Sequence, residues 1–235
     1  MVYLWGRQWS RGELLARVGR VEQLGGVQLV EAADGAERGV RLLRFATGAG
    51  LGGTSVRIAD TVTNIGATPC PHMMLYHCNV GFPVVDDGAE LAYPAPPGTC
   101  VSEASTERYR QLAGPQPAFV EECYEHDMVP DAAGYVSAGV LNRAAGLGVY
   151  QRYRKDQLPH HVTWRQLGSG TFVVAMEPST NRDAGRFDAR ERGELIHLGP
   201  GERRRYDLDL GVLSGSRAVA EFAARSRELV PEGTG

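Results

Sequence analysis

The feature that most constrains the fold is a succession of short segments in which apolar and polar residues alternate, separated by turn-forming residues. About nine such segments are present, and the connections between them lack the periodicity of a long helix. They lie at residues 27–31, 40–45, 54–63, 69–83, 119–126, 135–141, 147–153, 171–177 and 203–210. This pattern predicts an all-β chain that folds as an antiparallel β-sandwich or barrel.

Local signals refine this expectation near the beginning of the sequence. Residues 27–31 and 40–45 flank the turn-rich segment 33–39, which predicts a β-hairpin. Residues 54–63 alternate strictly between apolar and polar side chains, as expected of an antiparallel strand with one face in solvent. We expect the chain to continue as a meander of this kind.

Two helices are expected, one near each end of the sequence. Ser10 and Glu13 have the spacing of a capping box, which predicts a short N-terminal helix that Gly19 closes. Residues 216–229 combine alanines, charges and two large apolar residues, and predict a C-terminal helix. We expect one domain over residues 1–230, followed by a polar tail at 231–235.

Composition narrows the function. The 235-residue chain has a formal net charge of −3 and scattered arginines, which argues against nucleic acid or an anionic membrane surface as partner. The N-terminal sequence lacks the form of a signal peptide, and no long apolar run is present, so we expect a cytoplasmic location. The four cysteines are too unevenly spaced for a zinc knuckle, and we expect reduced thiols. A small, neutral molecule is the expected partner.

Residues 69–83 form an apolar stretch that nevertheless carries histidines and an asparagine. Bounded by proline at each end, it predicts a buried core strand whose polar residues face a cavity. Side chains alternate along a strand, so His77 and Asn79 share one face while His72 points to the other. The following residues 86–117 are rich in Pro and Gly and predict a long surface excursion of the kind that borders binding sites.

Four polar residues within apolar segments are candidates for chemistry. They are His77, Asn79, His126 and Glu177. Pro178 follows Glu177 and is expected to end the strand there, which would put the carboxylate at the rim of the sheet. A Glu and a His that face one cleft would form an acid/base pair for proton transfer with a neutral substrate.

Other interpretations of the same residues remain open. A histidine on an apolar strand is more often a hydrogen-bonded structural residue, and a Glu near a strand end often pairs with one of the many arginines. A metal site of the cupin type would also gather His and Glu. Because His72 and His77 face opposite sides and no His-x-His pair exists, the sequence favours acid/base chemistry and predicts no metal and no cofactor. We expect the remaining histidines, His72, His160, His161 and His197, to be structural or exposed.

Several motifs, in order along most of the chain, carry a family resemblance. They are residues 7–11, 18–25, 60–66, 71–83, 124–127, 176–181 and 198–202. Together they resemble the aldose 1-epimerase-like proteins of the galactose mutarotase superfamily, in particular the DUF4432 branch.

The resemblance implies a large antiparallel β-sandwich with a carbohydrate-binding cleft on one sheet. It also implies that a glutamate takes the proton of the anomeric hydroxyl while a histidine protonates the ring oxygen, so that the ring opens and recloses. Glu177 matches the base and His77 the acid, and Asn79 and His126 match substrate contacts. The implied partner is a small-molecule sugar.

One segment of the family pattern is missing from this sequence. Members carry a His-Gly-Arg motif, with a histidine that orients the sugar, between the first hairpin and the strand that matches residues 54–63. Here residues 45–48 lead almost directly to residues 53–55, and no His-Gly pair occurs. We therefore expect a shortened sandwich whose exposed sheet edge supports a homodimer. Two alternatives to an anomer-converting enzyme stay open: a non-catalytic sugar-binding or sensor module, and a metal-dependent cupin-like isomerase.

Overall fold

The computed structural model describes residues 28–35, 40–48, 52–102 and 108–230, which form antiparallel sheets and two helices. The strands are β1 (Gln28–Gly35), β2 (Val40–Gly48), β3 (Ser55–Asn64), β4 (Cys70–His72), β5 (Cys78–Gly81), β6 (Glu90–Ala92), β7 (Thr99–Cys100), β8 (Glu122–His126), β9 (Tyr135–Asn142), β10 (Leu147–Arg154), β11 (His160–Gly168), β12 (Thr171–Ser179), β13 (Ile196–Leu198) and β14 (Arg203–Ser214). The helices are α1 (Gly185–Glu191) and α2 (Ser216–Glu228).

The strands assemble into two main sheets. Seven strands follow the order β1-β2-β3-β14-β10-β9-β6, five follow the order β5-β12-β11-β8-β7, and β13 pairs with β4. The sheets enclose one hydrophobic core, to which Val140 and Leu208 contribute from the seven-stranded sheet and Val174 and Met176 from the five-stranded sheet. The predicted antiparallel β-sandwich is confirmed.

Most of the expected elements are present. The β1–β2 hairpin, β3 and the strands in the second half of the chain lie where the alternating segments predicted them, and α2 matches the C-terminal helix. The capping-box helix at residues 10–19 lies outside the described residues. Within the described part of the chain, neither helix has the length or apolar run that a bilayer crossing requires.

For two segments the expected local structure was wrong, and one strand was missed. Residues 69–83 do not form one strand, because β4 joins β13 while β5 joins β12. Residues 86–117 do not simply cross the surface, since Tyr93, Tyr109 and Leu112 are buried in the core. The sequence reading also missed β11, although its Val, Thr and Trp residues between Pro159 and a Gly-Ser-Gly turn are typical of a strand.

The helix α2 packs against the outer face of the seven-stranded sheet. Val219 and Phe222 of α2 form a small buried cluster with Leu141 of β9. Gly139, also on β9, permits the close approach, because a Cβ atom there would lie 2.8 Å from the Phe222 ring. An apolar helix face thus occupies this outer surface.

Candidate functional site

The outer face of the five-stranded sheet is the face turned away from the core. Directly paired residues of an antiparallel sheet share a face, and successive residues alternate. Val174 and Met176 of β12 point into the core, so Ala175 and Glu177 lie on the outer face. Strand pairing places these residues beside them on that face: Asn79, Cys123, Glu125, Val162 and Trp164.

His77 and Glu177 meet on this outer face. The Nε2 atom of His77 lies 3.0 Å from Oε1 of Glu177, and the exposed fractions of the two side chains are 26% and 7%. The side chain of Asn79 is exposed and hydrogen-bonds to His77. The structure therefore brings together three of the four predicted site residues.

Burial shifts the proton affinities of the pair in opposite directions. It raises the pKa of Glu177 to about 8, with a smaller contribution from the negative charge of Asp183. It lowers the pKa of His77, partly offset by the hydrogen bond with Asn79. Near neutral pH the pair therefore holds one proton, which burial favours on Glu177. A carboxyl group and an imidazole in this state can give and take a proton without a net change of charge.

More carboxylates surround Glu177 on the outer face. The backbone N–H of Asp183 donates a hydrogen bond of 2.8 Å to Glu125, and Arg182 lies 3.4 Å from the same carboxylate. The Asp183 side chain raises the pKa of Glu177, and Glu125 in turn raises the pKa of Asp183 after the effect of burial. The local field thus favours the protonated form of Glu177.

Tyr76 connects both members of the pair to the rest of the sandwich. Its backbone N–H donates to the carbonyl of Pro178, next to Glu177, with a distance of 3.1 Å. Its hydroxyl donates to Asp60 on β3 at 2.7 Å, and Arg44 on β2 holds the same carboxylate with two hydrogen bonds. Since Tyr76 directly precedes His77, one buried residue fixes the backbone beside each partner.

The position of Glu177 differs from the expectation. Pro178 does not end the strand, because β12 continues to Ser179 and the Pro178 carbonyl still accepts a hydrogen bond from Tyr76. Proline removes only the N–H donor of a ladder, and its carbonyl remains available. Glu177 therefore lies within the strand rather than at the rim.

His126 lies on the other side of the five-stranded sheet. It pairs with His161, whose Nδ1 atom is 3.1 Å from the hydroxyl of Tyr153 on the opposite sheet. The His126 ring is buried and contacts the rings of Tyr93 and Tyr109. The structure thus does not bring His126 together with the other predicted site residues.

The remaining histidines occupy varied positions. His72 is buried, with Nε2 2.7 Å from the hydroxyl of Tyr206. His161 is buried in the core, and His197 lies near the surface on β13. His160 is half-buried and shares the outer face with Val162. This position was not predicted, because the sequence pattern of β11 was not recognised as a strand.

The sequence reading also missed two polar residues near the pair. Trp164 lies on β11, with its ring centroid 6.0 Å from that of His77. Asp183 follows β12 within a turn and has no strand pattern to mark it. Alternation along 160–168 could have revealed Trp164, whereas no sequence signal pointed to Asp183.

A metal site does not emerge from the described side chains. Within residues 28–35, 40–48, 52–102 and 108–230, no three His, Cys, Asp or Glu side chains come together in a metal-binding arrangement. The arrangement on the outer face is suited to proton transfer with a polar ligand.

Solved structures of similar fold come from several bacteria. A Klebsiella pneumoniae protein provisionally described as an aldose 1-epimerase aligns with a TM-score of 0.79 and 21% identity, over 87% of this chain and 54% of its own length. A galactose mutarotase related enzyme from Lactobacillus acidophilus has a TM-score of 0.59 and 12% identity, over 85% of this chain and 71% of its own. A galactose mutarotase-like protein from Lactobacillus casei has a TM-score of 0.55 and 12% identity, over 82% and 71%.

At these identities the likeness establishes the fold. The chain spans little more than half the length of the Klebsiella protein. No curated protein gives a significant match. A family model described as a domain of unknown function, DUF4432, matches residues 29–212. Because this match covers most of the sequence, the chain belongs to the DUF4432 family.

Proposed function

We propose that this protein binds a sugar on the outer face of the five-stranded sheet and interconverts its anomers, with His77 as acid and Glu177 as base. The observation that carries the proposal is the 3.0 Å separation of Nε2 and Oε1 in a pair that solvent reaches through His77 and Asn79. The aldose epimerase and mutarotase names of proteins with the same fold support the choice of substrate.

The chemistry requires two coupled proton transfers. Glu177 takes the proton of the anomeric hydroxyl while His77 gives a proton to the ring oxygen, and the bond between the anomeric carbon and the ring oxygen breaks. Rotation about the adjacent carbon–carbon bond turns the carbonyl, and the reverse transfers close the ring as the other anomer. Both oxygens are bonded to the same carbon, so a closely spaced acid and base can serve them together.

The ligand-free pair must first redistribute its proton. Burial favours the proton on Glu177, whereas these roles need it on His77. The 3.0 Å separation of Nε2 and Oε1 is short enough for this transfer, and the total number of protons stays the same. We therefore expect the rate to fall above about pH 8, where the pair loses its single proton.

Asn79 is the substrate contact that we retain. It is exposed and lies one strand away from Ala175, next to the pair. We assign no substrate contact to His126, since its ring lies on the core side of the sheet.

The test is mutarotation of freshly dissolved galactose, glucose and mannose, followed by polarimetry or NMR exchange. We expect the wild type to speed mutarotation above the buffer rate. Glu177→Gln should reduce this acceleration at least about 100-fold, which is the usual effect of removing a general base. Glu228→Gln, at the end of α2, is the matched control and should keep the wild-type rate. A wild type no faster than buffer with every sugar would contradict the enzyme proposal.

A non-catalytic sugar-binding module is the second candidate. It is favoured by the absence of any His-Gly pair in the sequence, since the resemblance assigns the sugar-orienting histidine to that motif. Sugar-dependent thermal stabilisation without turnover would support this alternative.

A further inference from the structure

We propose that Trp164 is the platform on which a ring-closed sugar lies by its C–H face, beside the His77–Glu177 pair. This inference rests on the proposed function and names the form of sugar that the site selects. Trp164 lies on the outer face and is partly exposed. Its ring does not contribute to the sandwich core, since Thr163 and Arg165, on either side of it along β11, are the residues that face inward.

The orientation of the indole is fixed from two sides. Its Nε1–H donates a hydrogen bond of 3.0 Å to Glu121. The His77 ring lies at 6.0 Å between centroids, with an angle of 58° between the ring planes. A ring held in this way loses little conformational entropy when a ligand packs on it.

The residues that pair with Trp164 across the sheet have short side chains, and Ala175 is fully buried. Ala175 on β12 and Cys123 on β8 are its direct partners across the sheet, and both are small. Burial and nearby carboxylates raise the pKa of the Cys123 thiol to about 12, so this neighbour is uncharged. Asn79, Ala175, Trp164 and Cys123 lie side by side across four strands and form one row of the sheet. The indole is the largest side chain in this row.

The chemistry of a pyranose fits this row. One face of the closed ring presents C–H bonds, which pack on an aromatic face, while the hydroxyl groups point outward to polar partners. In this row Asn79 offers an exposed amide on the side of β5. A sugar on Trp164 would thus place its ring oxygen and anomeric hydroxyl toward His77. An open-chain polyol has no such rigid face and should not bind in this manner.

The test uses ligands that bind without turnover. Methyl α-galactoside and methyl α-glucoside lack the anomeric O–H, so they report the platform alone, and the alditol galactitol is the open-chain comparison. Tryptophan fluorescence of the full chain reports binding. The other two tryptophans, Trp5 and Trp9, remain in every variant. We expect a methyl glycoside to change the emission of the wild type, and galactitol to leave it unchanged at the same concentration.

The variants separate the platform from a general loss of structure. Dissociation constants from calorimetry should rise about 10-fold in Trp164→Ala and a few-fold in Trp164→Phe, as expected for lost aromatic packing. Gln166→Ala is the matched control, because it lies on the same strand and face one row further from His77, and it should bind like the wild type. Thermal unfolding checks that the variants fold. If the Trp164→Ala variant does not fold, the conservative Trp164→Phe variant still decides the test.

The outcomes distinguish this inference from the proposed function. Unchanged affinity in both Trp164 variants, or equal binding of galactitol and the glycosides, overturns the platform even if the wild type interconverts anomers. Glycoside binding that depends on Trp164 supports the platform even if the wild type shows no turnover. Absence of glycoside binding by the wild type overturns the platform.

Discussion

The two faces of the five-stranded sheet both carry histidines, in opposite settings. On the outer face, His77 has a carboxyl partner at 3.0 Å and is partly exposed. On the inner face, His126 and His161 are buried among tyrosine rings, with the hydroxyl groups of Tyr109 and Tyr153 near their respective Nδ1 atoms. Burial lowers the pKa in both settings. A histidine thus becomes a candidate for proton transfer through a carboxyl partner and solvent access, and burial alone does not make it one.

The largest test of this comparison exchanges one histidine on each face for an aromatic ring of similar shape. His77→Phe should lower the rate of anomer interconversion by at least about 100-fold, because the proton donor is lost. His126→Phe should keep the rate within about threefold, since its ring lies behind the sheet. The measurement is the initial mutarotation rate at pH 7 with wild type as reference. Loss of activity in His126→Phe with an unchanged melting temperature would break the comparison.

The sequence predicted the fold class, and which residues share a face of a strand, better than it predicted the bounds of the individual strands. Alternation along residues 69–83 placed His77 and Asn79 on one face, and that face is the outer one. The same rule did not expose the position of His126, because Glu122, Tyr124 and His126 share one face of β8, Cys123 and Glu125 share the other, and neither face is apolar. Which face meets the core is decided by the pairing of β8 with β11, a strand the sequence reading missed.

Contacts between residues far apart in sequence account for the features of the fold and site that the sequence did not predict. The interrupted path from β4 to β5 follows from bonds between residues far apart in sequence, such as that from Tyr76 to Pro178. The acidic surroundings of Glu177 come from Asp183 in a turn, whose position depends on its bond to Glu125. Local propensity contains no information about such contacts.

The second prediction concerns stability in acid. Burial lowers the pKa of His161 to about 3 and that of His126 well below its ordinary value. The unfolded chain binds these protons near pH 6.5, whereas the folded chain stays neutral until a lower pH. Stability is therefore complete above about pH 6.5 and falls as the pH decreases, by up to about 1.4 kcal/mol per pH unit for each such histidine.

Urea unfolding of wild type and His126→Phe at pH 7.5, 6 and 5 measures this effect. The variant should gain free energy of unfolding relative to the wild type as the pH decreases, because it lacks one of the protonation sites. Glu177 has the opposite linkage, since its folded pKa of about 8 is above its ordinary value, but it is present in both chains and cancels in the difference. A difference between the two chains that is independent of pH would show that His126 is protonated equally in both states.

The smallest expected effect belongs to the outer face and concerns Asp183. Its charge raises the pKa of Glu177 beyond the effect of burial, so Asp183→Asn should lower that pKa and move the alkaline decline of the rate to lower pH. The shift should be modest and should shrink in 1 M salt, because Asp183 is exposed and salt screens its charge. The measurement is the mutarotation rate between pH 6 and pH 9.5 at low and high salt. Asp156→Asn is the control, because this exposed carboxylate pairs with Arg154 away from the outer face and should leave the profile unchanged. A shift to higher pH in Asp183→Asn would mean that Glu177 does not control the alkaline decline of the rate. The carboxyl partner of His77 would then no longer distinguish the outer-face histidine from those of the inner face.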